Sequence, residues 1–138
     1  MRQTAGMTSP RAVRQEAPGV PWPVLALSAL FAFTGVTHFV KPALFDALVP
    51  GWVPLPARTA GLMAGAAELA GAAGLLHPAT RPAARVGLLA LLVAVFPGNL
   101  HMAQNAAEFP VPAWVAWARL PLQPLLMWVV WRAGRTRP

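Results

Sequence analysis

Four apolar runs, each bounded by proline, basic residues or both, set the plan of this chain. The first extends from Val20 to Val40, roughly 20 residues, which is enough to cross a bilayer as a helix. The second extends from Arg58 to Leu76 and is closed by Pro78. Thr80 is then placed to N-cap the next helix, with Pro82 in its first turn. That third run, from Pro82 towards Ala107, contains Pro97, which predicts a kink. The fourth, Ala113 to Trp131, holds Pro121 and Pro124 and predicts a kinked or partly unwound helix. Between the first two runs, Lys41 to Ala57 combines Pro42, Pro50, Pro54 and Pro56 with Phe45, Leu48, Val49 and Trp52. This predicts a short segment lying at the headgroup level. Glu108 to Pro112 reads as a turn.

The expected fold class is therefore all-α: an integral membrane four-helix bundle with an interfacial segment between helices one and two. Its helices should cover residues 20–40, 58–76, 82–107 and 113–131, within a transmembrane domain spanning 20–132. Met1 to Gly19 reads as a disordered basic tail, and residues 133–138 as a second one. The basic start and apolar core of the first run also resemble a signal peptide. Thr37, His38 and Phe39 follow where a small-x-small cleavage site would stand, which argues for a retained helix.

Composition agrees with this plan. The chain is 57% hydrophobic and 11% charged, against about 25% charged in a soluble domain. The net charge of +7 does not point to nucleic acid, because the basic residues sit in tails and turns and no nucleic-acid-binding signature is present. Their distribution sets orientation instead. Arg2, Arg11, Arg14, Arg81, Arg85, Arg132, Arg135 and Arg137 fall on one side, leaving Lys41, Arg58 and Arg119 on the other. The positive-inside rule then predicts that both termini are cytoplasmic. Trp22, Trp128 and Trp131 would mark the inner interface, and Trp52, Trp114 and Trp117 the outer one. Cysteine is absent, which excludes disulfides, thiolate metal sites and cysteine nucleophiles.

A few polar residues interrupt the apolar runs. Glu68 is the most informative, since a carboxylate at mid-bilayer costs several kcal/mol (about 3) unless it is paired or protonated. Gly61, Gly65, Glu68 and Ala72 share a helix face. The Gly61/Gly65 pair lets another helix come close, so Glu68 should point into the bundle. It reads either as a proton carrier or ligand anchor, or as a helix-holding ion pair or hydrogen bond. Arg119 is its best partner by charge, with snorkelling to lipid phosphate as the alternative. Gln123 lies one turn beyond Arg119 on the same face. Asn99 and His101 follow Pro97; Asn99 is placed to satisfy carbonyls freed by the proline, and His101 to sit at the interface, although either could bind a ligand or relay protons. His38 ends the first helix on the same outer side. No third ligand has the spacing for a metal site with His38 and His101. These groups concentrate in the outer half, which predicts a polar pocket open to the outside and closed below, unlike a channel.

The chain resembles the DoxX-like family of small bacterial membrane proteins over Val24 to Trp131. The matching segments are Gly35-Val-Thr-His38-Phe39 with Pro42, Phe45, Val49 and Pro50; Glu68-Leu-Ala-Gly71 with Gly74; and Pro78-Ala-Thr80-Arg81. Further matches are Val95-Phe96-Pro97-Gly98-Asn99 with Met102-Ala103, and Arg119-Leu-Pro121-Leu-Gln123. Gly98 stands where relatives often carry alanine, which should loosen the kink. The resemblance implies a four-helix membrane bundle in the bacterial cytoplasmic membrane. It also implies association with quinone-linked or thiol redox complexes through a partner protein. The expected function is an accessory or redox-associated subunit whose pocket, lined by Glu68, Asn99, Arg119, Gln123, His101 and His38, takes a quinone or another small lipophilic molecule. A proton-coupled solute transporter and a structural or assembly protein are the alternatives. No catalytic constellation suggests an enzyme acting alone.

Overall fold

The computed structural model describes residues 19–133 and 135. Expectations for the N-terminal tail before residue 19, and for 134 and 136–138, lie outside them. The described residues form α1 (Trp22–Val40), α2 (Pro42–Asp46), α3 (Ala57–Leu76), α4 (Arg81–Gln104) and α5 (Ala113–Ala133), with a 3-10 turn at Ala106–Glu108. There is no strand among them. Three helices, α1, α3 and α4, are long and apolar enough to cross a membrane. This is the make-up of a multi-pass membrane protein. α5 has similar length, but Arg119, Gln123 and two prolines dilute its apolar character.

Proline decides most helix boundaries. Lys41 leaves helical geometry because Pro42 follows it, and His77 is extended because Pro78 follows it. Pro42 and Pro82 sit at helix starts, where a missing N–H costs nothing. The third long helix stops at Gln104 rather than near Ala107. Asn105 ends it by donating its side-chain amide to the His101 carbonyl at 2.9 Å. Inside helices the prolines do less than expected. α5 continues unbroken through Pro121 and Pro124, and α4 through Pro97. Each proline removes one hydrogen bond, and the intact bonds on either side keep the helix going.

Successive long helices run antiparallel. A side chain placed on Gly35 would strike Leu69 and the Gly65 carbonyl, and one on Gly65 would strike His38 and the Gly35 carbonyl. These two glycines let the α1 and α3 backbones touch, as the small-residue spacing predicts. Leu88 of α4 fills the space beside Gly71 of α3. At the α3–α4 corner, Thr80 occupies the N-cap position without capping α4. Its hydroxyl donates backwards to the carbonyls of Gly74 (2.8 Å) and His77 (3.2 Å). Arg81, counted in the sequence among the basic residues of the loop, is buried. Its Nε donates to the Leu75 carbonyl at 2.7 Å and its Nη2 to Leu76 at 3.4 Å. The last carbonyls of a helix lack partners of their own and carry partial negative charge, so a guanidinium there is doubly favourable.

The terminal end of the bundle, where α1 begins and α5 finishes, is filled. Val24, Leu27 and Phe31 meet Ala72, Leu75, Leu88, Leu92 and Val130 in one core drawn from all four long helices. The far end has only a smaller cluster of Met102, Ala103 and Ala116 between α4 and α5.

Candidate functional site

The far half holds a partly open cavity of about 910 Å³. α1, α3, α4 and α5 wall it, and α2 with the segment after it lies across it. Five of the six residues singled out in the sequence line it: His38, Glu68, Asn99, Arg119 and Gln123. Most of the remaining lining is aliphatic or aromatic. The sixth, His101, is not on the cavity wall. Its ring lies edge-on to Phe109 with centroids 6.1 Å apart, and Asn105 approaches its Nδ1 at 3.1 Å.

His38 is the best-fixed side chain of the site. It is buried to 7% exposure. Phe45 of α2 stacks on its ring, with centroids 3.5 Å apart and planes 26° from parallel. Gly61 and Gly65 form the opposite wall; with a side chain at Gly65, His38 could not occupy this position. Its Nδ1 turns towards the backbone of Gly61 and makes no hydrogen bond. Its Nε2 lies 3.9 Å from Oε2 of Glu68, inside the range of an ion pair but too long for a hydrogen bond.

Glu68 therefore faces the bundle interior, where the small residues of α3 direct it. Its closest ionisable neighbour is His38 rather than Arg119. Arg119 is exposed at the rim of the cavity and forms no ion pair among the described residues. Glu68 Oε2 is buried without a hydrogen-bond partner. Thr34, one turn before His38 on the same face of α1, sets its hydroxyl beside this carboxyl group. The Thr34 hydroxyl proton itself is directed to the carbonyls of Leu30 (3.1 Å) and Phe31 (3.3 Å). Sequence reasoning missed Thr34, and its four-residue spacing from His38 was the available signal.

On the opposite wall, Asn99 donates to Gln123 Oε1 at 2.7 Å, and Gln123 donates onward to the Leu92 carbonyl. The amide that reaches a carbonyl near Pro97 is thus Gln123 of α5; Asn99 holds Gln123 in place. Gly98 also has a definite reason. A Cβ there would come within 3.0 Å of the Leu48 carbonyl, so glycine admits the segment that covers the cavity. That segment is tied down by Arg58, whose Nε and Nη2 each approach Asp46 Oδ2 at 2.8 Å.

Residues 27–133 match the profile of a family described as a domain of unknown function, DUF8561. The chain belongs to this family. The match covers the whole cavity, from Leu30 to Val129, so the site is a feature of the family domain rather than of an appended segment. No curated protein and no solved structure matches the chain. Among the described residues, no group of three or more histidines and carboxylates could hold a metal ion.

Proposed function

We propose that this protein crosses the cytoplasmic membrane of a bacterium four times, with both tails in the cytoplasm. It serves there as a DoxX-like accessory or redox-associated subunit that binds a small lipophilic molecule in its far-half cavity. One observation carries this reading: Glu68 Oε2 is buried without a hydrogen-bond partner, 3.9 Å from His38 Nε2, beside a cavity that is otherwise mainly apolar. A buried polar atom left bare costs about 1–3 kcal/mol, which a ligand group reaching this oxygen would recover.

A quinone fits this chemistry. Its carbonyl oxygens accept hydrogen bonds, its quinol form donates them, and its ring and tail suit an apolar wall. His38 supplies a ring N–H, and Glu68 a carboxyl group that accepts or donates according to its protonation. Asn99 and Gln123 line the opposite side. Leu30 of α1 and Leu122 and Leu125 of α5 border the cavity and are about half exposed, an edge suited to a lipophilic tail. The chain has no cysteine, so thiol redox chemistry would come from a partner protein.

The test is mass spectrometry of solvent extracts of the purified protein, with melting curves in the presence of short-chain ubiquinone and menaquinone analogues. A lipophilic ligand retained by wild type and reduced about tenfold in Glu68→Gln is expected, corresponding to about 1.4 kcal/mol. Absence of any ligand, with no stabilisation by either quinone, would sink the reading.

The bare Glu68 carboxyl group also supports a second reading, a proton-coupled transporter. The filled terminal half opposes it, because transport needs access from both faces. Solute flux into proteoliposomes that depends on pH and vanishes in Glu68→Gln would favour transport over simple binding.

A further inference from the structure

At the terminal end of the bundle, cations gather on exposed indoles. Arg85 of α4 places its guanidinium carbon 4.7 Å from the centre of the Trp131 ring. Arg135 approaches the same ring at 4.6 Å. One turn earlier, Arg132 lies 5.2 Å from the Trp128 ring. We propose that Arg85, Arg135 and Trp131 form a binding site for the phosphate of an anionic phospholipid headgroup, with Arg132 and Trp128 at its edge. The proposal requires the chain to lie in a bilayer and is independent of what the cavity binds.

Three observations carry it. First, the positive charge is uncompensated. The only ion pairs among the described residues are His38–Glu68 and Asp46–Arg58, both elsewhere. Two guanidiniums held at one indole repel each other, and a bound anion would offset that repulsion. Second, the donors are underused. A guanidinium has five N–H groups. Arg85 makes one long bond, from Nη1 to the Trp131 carbonyl at 3.5 Å, and its Nε is buried with no partner. Third, a neighbour shows what a structural arginine looks like in this fold. Arg81, one turn before Arg85, is buried with its guanidinium against the carbonyls that end α3. Arg85 has no such set of carbonyls.

The surroundings select a lipid phosphate over a free one. Trp128, Trp131 and Val86 are all substantially exposed around the cations. Indoles favour the boundary between headgroups and acyl chains, where one end is apolar and the other wet. Arginine forks bind phosphate oxygens two at a time, and the uncompensated positive charge favours a headgroup of net negative charge over a zwitterionic one.

Native mass spectrometry of the full chain, delipidated and then titrated with lipid in detergent, tests this. Phosphatidylglycerol should be retained in preference to phosphatidylcholine of the same chain length. Each of Arg85→Gln and Arg135→Gln should lower that preference about fivefold, the value of one basic residue near an anionic surface. Arg85→Lys should restore part of it. Should Arg85→Gln fail to fold, the exposed Arg135→Gln decides alone. Equal retention of the two lipids by wild type would overturn the proposal. So would glycerol 3-phosphate competing as strongly as phosphatidylglycerol, which would mark a site for soluble phosphates. Loss of the cavity ligand in Glu68→Gln with the lipid preference intact would separate this site from the cavity reading.

Discussion

At Val24 and Leu27, α1 packs into a core shared with α3, α4 and α5; two turns later, at Thr34 and His38, the same helix faces an open cavity. The difference does not arise from helix type, length or average hydropathy. It arises from which side chains the neighbouring helices bring to each level. At the terminal level, leucines and Phe31 fill the space between backbones. At the far level, Gly61, Ala64 and Gly98 keep the walls thin, while His38, Glu68, Asn99 and Gln123 bring polar atoms inward. A membrane bundle can thus be solid at one end and hollow at the other without interrupting a helix. The solid end supplies rigidity, and the hollow end supplies a place for a molecule.

The comparison can be broken most directly at its solid end. Leu75 is fully buried there. Leu75→Ala should cost about 2–5 kcal/mol, because the lost packing leaves a hole that its neighbours cannot close. The check is a melting curve in detergent; a loss below about 1 kcal/mol would mean that the terminal half is not the rigid part. A smaller effect is expected where the halves meet. Gln123→Leu removes both the acceptor for Asn99 and the donor to the Leu92 carbonyl. It should cost about 1–3 kcal/mol through the polar groups left bare, with Asn99→Ala giving a similar but smaller loss.

Adding bulk sharpens the contrast further. Ala72→Phe in the solid core should destabilise by about 1–3 kcal/mol, as overpacking does. Ala64→Phe, on the cavity wall, should change stability by less than about 1 kcal/mol while abolishing retention of the cavity ligand. Equal penalties at the two positions would argue that the cavity collapses in the membrane. The smallest effect is expected at the cover. The Asp46–Arg58 pair is more than half exposed on the arginine side. Arg58→Gln should therefore cost under about 1 kcal/mol in stability, and a competition assay should show faster exchange of the bound ligand.

Much of the architecture was legible in the residues. The apolar runs located every long helix to within a few residues, and the prolines that bound those runs are the ones that bound the helices. The Gly61/Gly65 spacing identified the face of α3 that meets α1, and that face carries Glu68 inwards. The grouping of His38, Glu68, Asn99, Arg119 and Gln123 around one space could be anticipated from their similar depth along antiparallel helices. The roles within the group could not. Charge alone favoured Arg119 as the partner of Glu68, yet Arg119 stays exposed at the cavity rim and His38 stands beside the carboxyl group. Depth alone placed His101 with the others, yet it packs on Phe109 away from the cavity. Arg81 counted as a loop charge, yet it ends α3.

What the sequence determined by itself was spacing along each helix, because helical geometry converts residue separation directly into face and depth. What only the tertiary structure decided was rotation and proximity between helices: which faces meet, which charged group turns to its neighbour and which to the surroundings, and which orphan carbonyls a side chain from another segment reaches. Those choices depend on side-chain volumes summed across several helices at once. The His38–Glu68 approach rests on the absent side chain of Gly65 and the stacked ring of Phe45, residues that lie far apart from one another along the chain and say nothing of each other until it folds.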